Sequence, residues 1–250
     1  MDILFWKNLS KDVKIEHTAK QYFKQYLYKL EVHAPGCQSI RYDDIGASLS
    51  HRQSYTRSYN VGSWLDRKLA VQLQEANVDF LVNLKSVIHN HADIKVRTEE
   101  PKISFYAENE STLQAVANDI CDGAKFGSCV LKITGPSSDV AKTALQGNAI
   151  LLKSQPKFKY KVFLKEKRFD LFSRTQIYNY LVGLDALVKI PKHTTEQLNR
   201  SGDWLWGCYF YTNDAGVADL VRLINPDIIR EVCELINSTI IQGAPDGKST

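Results

Sequence analysis

Polar and apolar residues alternate almost strictly over residues 157–165, KFKYKVFLK, and this pattern predicts a β-strand with two different faces. Successive side chains of a strand point to opposite sides. One face is apolar and is expected to pack on a core: it carries Phe158, Tyr160, Val162 and Leu164. The other face is basic and is interrupted only by Phe163: it carries Lys157, Lys159, Lys161 and Lys165.

Apolar periodicity along the rest of the chain predicts two copies of one order of elements, βαββαβ. Strands of the first copy are expected at residues 28–33, 94–98, 102–107 and 129–133, and strands of the second at residues 157–165, 187–190, 204–211 and 228–236, the last with a helix as its alternative. Both third strands end in Phe-Tyr before an Asn and an acidic residue, FYAENES and FYTNDAG. We therefore predict an α+β fold of tandem ferredoxin-like (βαββαβ) modules, internally duplicated.

The predicted domain boundaries follow from this repeat. The first module is expected to span residues 1–140 and the second residues 150–240, with a flexible tail at residues 241–250. Within the first module, a short amphipathic N-terminal helix is expected from Ile15 to Tyr28. A long polar loop is expected over residues 39–63, and a helix capped by Ser63 should follow it to about His89.

The charge of the chain is segregated along its length. Its 250 residues are 44% hydrophobic and 24% charged, as in an ordinary soluble protein, and the net charge is +4. Residues 153–170 contain seven basic and two acidic residues, whereas residues 203–246 contain two basic and seven acidic residues. This asymmetry predicts a polarised surface.

Cysteine usage and hydropathy predict a cytoplasmic protein without a membrane partner. The five cysteines are scattered, odd in number and without metal-binding spacing, which indicates reduced thiols. No apolar run approaches the roughly 18 residues of a membrane span. The N-terminal sequence lacks the pattern of a secretory signal.

Two lysines and two tyrosines are expected side by side in the second module. The first and third strands form the central pair of a ferredoxin-like module, so Lys159 and Lys161 should lie beside Tyr209 and Tyr211 on the face without helices. Amines that contact phosphate and rings that stack on bases suit single-stranded nucleic acid. The alternatives are a solvated or edge-protecting lysine face, and tyrosines that form a contact between the modules.

The topology of each half is similar in outline to the RNA-recognition motifs. Residues 206–211, WGCYFY, contain the glycine and the alternating aromatic residues of that family's third strand, with Trp206 where the family has a basic residue. The resemblance covers the topology of each half and little else.

Arginine and tyrosine are interleaved in the predicted loop over residues 39–63, which makes it a second candidate site. Arg52, Arg57 and Tyr55 suit phosphate contacts and stacking. The alternative is a disordered insertion or a segment that a partner orders.

Patterns of catalysis are weak in this sequence. Tandem modules of this kind also resemble the CRISPR repeat-processing endoribonucleases, and that resemblance implies a catalytic histidine near the start, for which His33 and His51 are the candidates. The glycine-rich loop of that family has no counterpart in the tail. No catalytic residue, metal site or cofactor is predicted.

Two functions follow from these patterns. The first is a non-enzymatic nucleic-acid-binding protein that contacts single-stranded RNA or DNA through the lysine and tyrosine face and the arginine and tyrosine loop. The second is a structural or assembly subunit, in which the basic segment of one copy meets the acidic segment of another copy or of a partner protein. Both hypotheses use the same lysines, so the sequence does not separate them.

Overall fold

The chain contains both helices and β-strands, and the strands form two five-stranded sheets, which confirms the predicted α+β class. The structure is a computed structural model that describes residues 1–58, 71, 73–121, 129–200 and 204–241, with the side chains of residues 55–58 and 240–241 left out. The chain divides into two compact units, Met1–Ser137 and Ser138–Thr250. Within the described residues, no helix combines the length and the apolar character that a membrane span needs.

The first unit contains a sheet with helices packed on it. Its elements are α1 (Ile3–Leu9), β1 (Lys14–His17), β2 (Tyr28–His33), a 3₁₀ helix (Cys37–Arg41), α2 (Ile45–Ser58), α3 (Val78–Asn90), β3 (Lys95–Glu99), β4 (Lys102–Ala107), α4 (Glu110–Cys121) and β5 (Val130–Gly135). The strand order is β1-β5-β2-β4-β3, with β1 parallel to β5 and the other pairs antiparallel. The first and third strands of the βαββ unit, β2 and β4, are therefore neighbours in the sheet.

One face of this sheet carries the core of the first unit. Leu30 and Val32 of β2 and Phe105 of β4 are fully buried, as are the apolar positions of α4: Leu113, Val116, Ala117 and Ile120. The helix α3 begins where the side chain of Asn77 accepts a hydrogen bond from the Phe80 amide at 3.0 Å. Apolar residues at helical and strand spacing thus meet in one core, as their periodicity predicts.

The predicted N-terminal helix from Ile15 to Tyr28 is wrong. Lys14–His17 is instead a strand that pairs in parallel with β5, and the helix at the start of the chain is α1. The following segment bends sharply, with positive φ angles at Phe23 (52°) and Lys24 (64°). The hydrogen bonds of the β5 edge therefore override a weak local helical pattern.

The predicted polar loop over residues 39–63 is wrong for residues 45–58, which form α2. Few apolar residues of this helix reach the core, with Ile45 and Leu49 buried, so its periodicity is faint in the sequence. Residues 59–70, including the predicted cap Ser63, lie outside the described residues.

The second unit repeats the arrangement. Its elements are α5 (Asp139–Gln146), β6 (Ile150–Leu152), β7 (Tyr160–Leu164), α6 (Leu171–Gly183), a 3₁₀ helix (Asp185–Leu187), β8 (Val188–Lys189), α7 (Lys192–Asn199), β9 (Tyr209–Thr212), α8 (Gly216–Ile224), β10 (Ile229–Asn237) and α9 (Ser238–Ile241). The strand order is β6-β10-β7-β9-β8, with β6 parallel to β10 and the other pairs antiparallel. The segment predicted as a strand or helix at residues 228–236 is the strand β10.

The core of the second unit lies between the sheet and its helices. It includes Val162 and Leu164 of β7, Phe210 of β9, Ile177 of α6 and Val221 of α8. Alternate residues of β7 and β9 therefore point into this core, and the residues between them point to the opposite face. Asp170 caps the start of α6, because its carboxylate accepts a hydrogen bond from the Ser173 amide at 2.8 Å.

Candidate nucleic-acid interface

A transverse row of three side chains crosses the sheet of the second unit. Lys161 of β7 is the direct partner of Tyr211 of β9, and Tyr211 is the direct partner of Lys189 of β8. Directly opposed residues of neighbouring strands point to the same side of the sheet. We call this Lys189–Tyr211–Lys161 set the second-module row; it lies on the side away from the core.

Aromatic rings surround the amine of Lys161. The Nζ atom lies 3.7 Å from the ring centroid of Tyr209, 4.7 Å from that of Phe163 and 5.6 Å from that of Tyr211. These distances are within the range of cation–π contacts. The rings hold the lysine over the sheet, so a positive charge and flat apolar surfaces occupy one small area.

A second pair of opposed residues extends this area. Phe163 and Tyr209 are direct partners across β7 and β9, with ring centroids 6.0 Å apart. Together with the second-module row they form a surface that we call the Lys–Tyr face: Lys161, Phe163, Lys189, Tyr209 and Tyr211. Lys189 is exposed, and the other four side chains are half-buried.

Two further side chains border the Lys–Tyr face. The ring of Phe158 stacks on Tyr211, with centroids 6.0 Å apart and planes 25° apart. The guanidinium carbon of Arg230 lies 4.9 Å from the Phe163 centroid, and Arg230 also pairs with Glu166 at 3.7 Å. The border is therefore both aromatic and charged.

Burial raises the pKa of the Tyr211 phenol above its usual value of 10.0, and the nearby Tyr209 adds to the rise. Tyr211 is therefore neutral at physiological pH. A neutral phenol can donate a hydrogen bond to a phosphate or base oxygen without repelling the anion.

The first unit has an equivalent row in the same register. Lys29 of β2 and Lys95 of β3 are both direct partners of Tyr106 of β4, and we call Lys95–Tyr106–Lys29 the first-module row. Here the tyrosine is only 5% exposed, because Tyr22 and Phe23 cover it with ring centroids 5.3 and 4.9 Å away.

A carboxylate pairs with one lysine of the first-module row. Lys29 donates to Glu31, and Glu31 also lies 3.7 Å from Lys132. Burial opposes ionisation of Glu31, but the hydrogen bond and charge of Lys29 and the charge of Lys132 outweigh it and lower the pKa of this carboxyl. Lys29 of the first-module row is thus engaged in an ion pair.

The predicted lysines are only partly brought together. Lys161 lies against Tyr209 and Tyr211 as predicted from the alternation, whereas Lys157 and Lys159 precede β7 and are exposed. The Lys159 amine is 5.2 Å from the Tyr160 centroid and 3.9 Å from Glu234. Lys165 follows the last residue of β7 and pairs with Asp227 at 3.1 Å.

The arginine and tyrosine segment is a packed helix whose arginine has an internal partner. Arg52 pairs with Glu100 at 3.1 Å and donates to the Ser39 hydroxyl at 3.4 Å. The Glu100 carboxylate also accepts the amide hydrogen of Gly36. Arg52 therefore anchors α2, while the side chains of Tyr55 and Arg57 lie outside the described residues.

Sequence reasoning missed Lys189, Phe163 and Arg230 as members or neighbours of the surface. Phe163 was an apparent exception among the lysines, and in the structure it supplies a ring to Lys161. Lys189 was a lone lysine on a short strand, and only the register with β9 places it beside Tyr211. The odd-numbered position of Phe163 in the alternating strand could have indicated that it shares a face with Lys161. The sequence contains no such signal for Lys189.

The segregated charges are neighbours within the second unit. The basic strand β7 pairs with the acidic strand β10, and ion pairs join the two segments. Lys165 and Lys167 both contact Asp227, at 3.1 and 2.9 Å. These pairs hold the pKa of Asp227 below its usual range. The two segments thus contact each other within one unit.

The candidates for catalysis are not assembled into a recognisable centre. His33 ends β2 and is half-buried, while His51 is exposed on α2. Within the described residues, no group of three or more His, Cys, Asp or Glu side chains is placed to hold a metal ion. None of the five cysteines, all in the described part of the chain, forms a disulfide bond.

Comparison with known proteins adds little to this picture. No family model matches the sequence, and no curated protein matches it. Among solved structures, a mutant chlorite dismutase from Candidatus Nitrospira defluvii is similar over 82% of this chain and 87% of that chain, with 12% identity and a TM-score of 0.19. A likeness at that TM-score carries no argument about fold or function.

Proposed function

We propose that this protein is a non-enzymatic binder of single-stranded RNA or DNA, and that the Lys–Tyr face of the second unit is its contact surface. The observation that carries the proposal is the second-module row, in which two lysines flank a half-buried tyrosine in register. Lysine amines neutralise phosphates, and aromatic rings stack on bases of any sequence.

The proposed fold is a pair of ferredoxin-like modules related by internal duplication. In both units the four strands of the βαββαβ order lie in the spatial order 4-1-3-2 across the sheet. Each sheet has one additional strand, which pairs in parallel at its edge. The matching Lys–Tyr–Lys rows occupy the same register in both units. Two independent folds have no reason to share the register of these particular side chains.

The direct test is a titration of a fluorescently labelled single-stranded oligonucleotide at two salt concentrations. Binding should weaken steeply between about 50 mM and about 200 mM salt, because bound phosphates release counterions. The absence of binding at the lower salt concentration would refute the proposal.

Charge reversal locates the contact surface. Lys161→Glu should weaken binding at least about tenfold at low salt and should reduce the salt dependence by about one released counterion. Arg222→Glu is the matched control: Arg222 lies on α8, the helix that packs on the core side of the sheet, and pairs with Asp219 of the same helix. Equal losses in both variants would show that net charge, and not the Lys–Tyr face, governs binding.

Assembly through complementary charged surfaces is the alternative hypothesis. Pairs such as Lys167–Asp227 use part of the two charged segments inside one unit, so we favour nucleic acid as the ligand. Light scattering on the same samples separates the two ideas. Salt-sensitive self-association without oligonucleotide binding would favour assembly.

A further inference from the structure

The first unit contains a charged cavity that the proposed function does not use. The cavity has a volume of about 320 Å³ and lies between the segment that joins α1 to β1 and the strands β1, β5, β2 and β4. This volume is at the lower end of the range for small-molecule sites. Three acids and three lysines line it: Asp12, Glu16, Glu31, Lys14, Lys102 and Lys132.

The sheet register brings the strand residues of this lining to one side of the sheet. Lys14 of β1 is the direct partner of Lys132 of β5, and Lys132 is the direct partner of Glu31 of β2. Lys102 of β4 is the direct partner of His33, two residues after Glu31 on β2. Opposed residues share a side, as do residues two apart on a strand, so all of these side chains lie away from the core.

The two glutamates of the cavity are already matched by lysines. The Lys132 amine lies 3.2 Å from the Glu16 carboxylate and 3.7 Å from the Glu31 carboxylate. Glu31 also accepts a hydrogen bond from Lys29. Two lysines thus balance two glutamates, and this cluster has no net charge.

The charges that remain at the cavity are mostly positive. Among the residues that the structure describes, no carboxylate forms an ion pair with Lys14 or Lys102. Lys14 also lies directly opposite Lys132, and like charges in that position repel each other. Against these two lysines stands one further acid, Asp12, which is exposed. The balance of the unpaired charges therefore favours an anion.

A buried hydroxyl adds a hydrogen-bond donor to the same cavity. Ser10 is 4% exposed, and its hydroxyl oxygen has no hydrogen-bond partner in the described part of the chain. Its backbone is satisfied, because its amide donates to the Trp6 carbonyl at 3.1 Å. A buried hydroxyl without a partner has lost its hydrogen bonds to water, and a ligand oxygen that accepts from it recovers that cost.

We propose that this cavity binds one small organic anion, a carboxylate or a phosphate monoester. The amines of Lys14 and Lys102 contact its anionic oxygens from the β1 and β4 sides, and the Ser10 hydroxyl donates a hydrogen bond to it. Leu131, which also lines the cavity, provides an apolar contact for its carbon skeleton. All of these residues belong to the first unit, whereas the Lys–Tyr face belongs to the second.

The test is isothermal titration calorimetry of the full chain with two probes, inorganic phosphate and succinate, at constant ionic strength in chloride buffer. At least one probe should bind saturably, with one molecule per chain. Tighter binding of phosphate would indicate a phosphate monoester as the ligand, and tighter binding of succinate a carboxylate. No saturable binding of either probe up to about 10 mM, ten times a millimolar Kd, would overturn the inference.

Lysine variants assign the binding to the cavity. Lys14→Gln and Lys102→Gln should each weaken the better probe about tenfold, because each removes a charge-assisted hydrogen bond. Lys11→Gln is the matched control: it removes the same charge from the same segment, and Lys11 is exposed and does not line the cavity. Equal effects of Lys11→Gln and Lys14→Gln would overturn the inference.

Ser10→Ala separates ligand binding from a structural role. This variant should weaken the better probe, while its urea midpoint without the probe should stay equal to or above that of the wild type, because it removes a buried hydroxyl that has no partner. Wild-type affinity for the probe in this variant would contradict the proposed site.

The outcomes also separate this inference from the proposed function. Lys14→Gln and Lys102→Gln should leave oligonucleotide affinity unchanged, and Lys161→Glu should leave succinate affinity unchanged. If Lys161→Glu abolishes phosphate binding and Lys14→Gln does not, phosphate binds at the Lys–Tyr face and the cavity is not an anion site. If the oligonucleotide fails to bind while a probe binds and responds to Lys14→Gln, only the proposed function is wrong.

Discussion

The side chain that faces the first-strand lysine differs between the two units. In the first unit Lys29 donates to Glu31, two residues along the same strand. The corresponding position after Lys161 is Phe163, whose ring lies 4.7 Å from the lysine amine. A carboxylate at this position adds a negative charge beside the amine, whereas a ring adds none.

Phe163→Glu should therefore copy the first-unit environment into the second unit. The new carboxylate would attract the Lys161 amine and repel phosphate, so oligonucleotide affinity should fall at least about tenfold at low salt. Anisotropy titration measures the change, and Phe163→Leu is the control for loss of the ring without added charge. A Glu variant that binds no more weakly than the Leu variant would show that local charge at this position is unimportant.

The thiols of the first unit differ in their tendency to ionise. A hydrogen bond from Cys129 lowers the pKa of the Cys121 thiol below its usual 9.0, while burial raises the pKa of Cys37 to about 12. At mildly alkaline pH Cys121 carries the larger thiolate fraction, and the thiolate is the reactive form.

Cys121 should react with iodoacetamide faster than Cys37. Cys129→Ala removes the hydrogen-bond donor, so the Cys121 pKa should rise and its alkylation should slow at a fixed pH. A time course followed by peptide mass spectrometry measures both rates. An unchanged Cys121 rate in the variant would show that Cys129 does not stabilise the thiolate.

At the scale of elements, the helix α2 shows how a buried polar contact can position a segment that has little apolar periodicity. The Arg52–Glu100 pair joins α2 to the turn between β3 and β4, and the Glu100 side chain is only 7% exposed. The arginine that suggested phosphate binding in the sequence is thus already paired. The sequence of residues 39–58 alone does not indicate this partner, because Glu100 lies 48 positions beyond Arg52 in the chain.

Glu100→Ala should lower the free energy of unfolding by about 1–3 kcal/mol, because it removes the carboxylate that accepts hydrogen bonds from Arg52 and from the Gly36 amide. Urea denaturation measures the change. Glu99→Ala is the matched control: its carboxylate is 53% exposed and pairs with Arg97 on the surface, so its loss should cost less than about 1 kcal/mol. Equal costs would contradict a special role for Glu100.

The Lys29–Glu31 pair should make stability depend on acid pH. The pKa of Glu31 in the folded protein is below its usual 4.5, so the ionised form stabilises the fold above that pH. The contribution is lost as the pH falls through the folded pKa. The difference in unfolding free energy between the wild type and Glu31→Gln should therefore shrink from about pH 7 to about pH 3. Urea denaturation at both pH values measures it, and a constant difference would contradict the assignment.

At the scale of the whole molecule, each unit contains its own sheet and its own buried residues. The buried cluster of the second unit includes residues from Val162 to Ile229, all of them within that unit. The basic and acidic segments of the sequence also meet inside this unit, as neighbouring strands. The charge asymmetry along the chain therefore reflects the pairing of a basic strand with an acidic strand within one unit.

The second unit, residues 138–250, should fold when it is expressed alone. Its core and its sheet are complete within that range, so cooperative urea unfolding and native-like far-ultraviolet circular dichroism are expected. It should also retain oligonucleotide affinity within about threefold of the full chain, because the proposed contact lies within it. A non-cooperative transition would show that it needs the first unit.

The sequence alone determined the class of the fold, the order of most strands and the face on which Lys161 lies. These properties depend on periodicity, which is local and is written in successive residues. Tertiary structure decided the strand pairing of Lys14–His17, the helix over residues 45–58 and the row that joins Lys189 to Tyr211. These properties depend on partners distant in the chain. For that reason the alternating pattern of residues 157–165 predicted a lysine and tyrosine surface, but only the sheet register showed which lysines and rings belong to it.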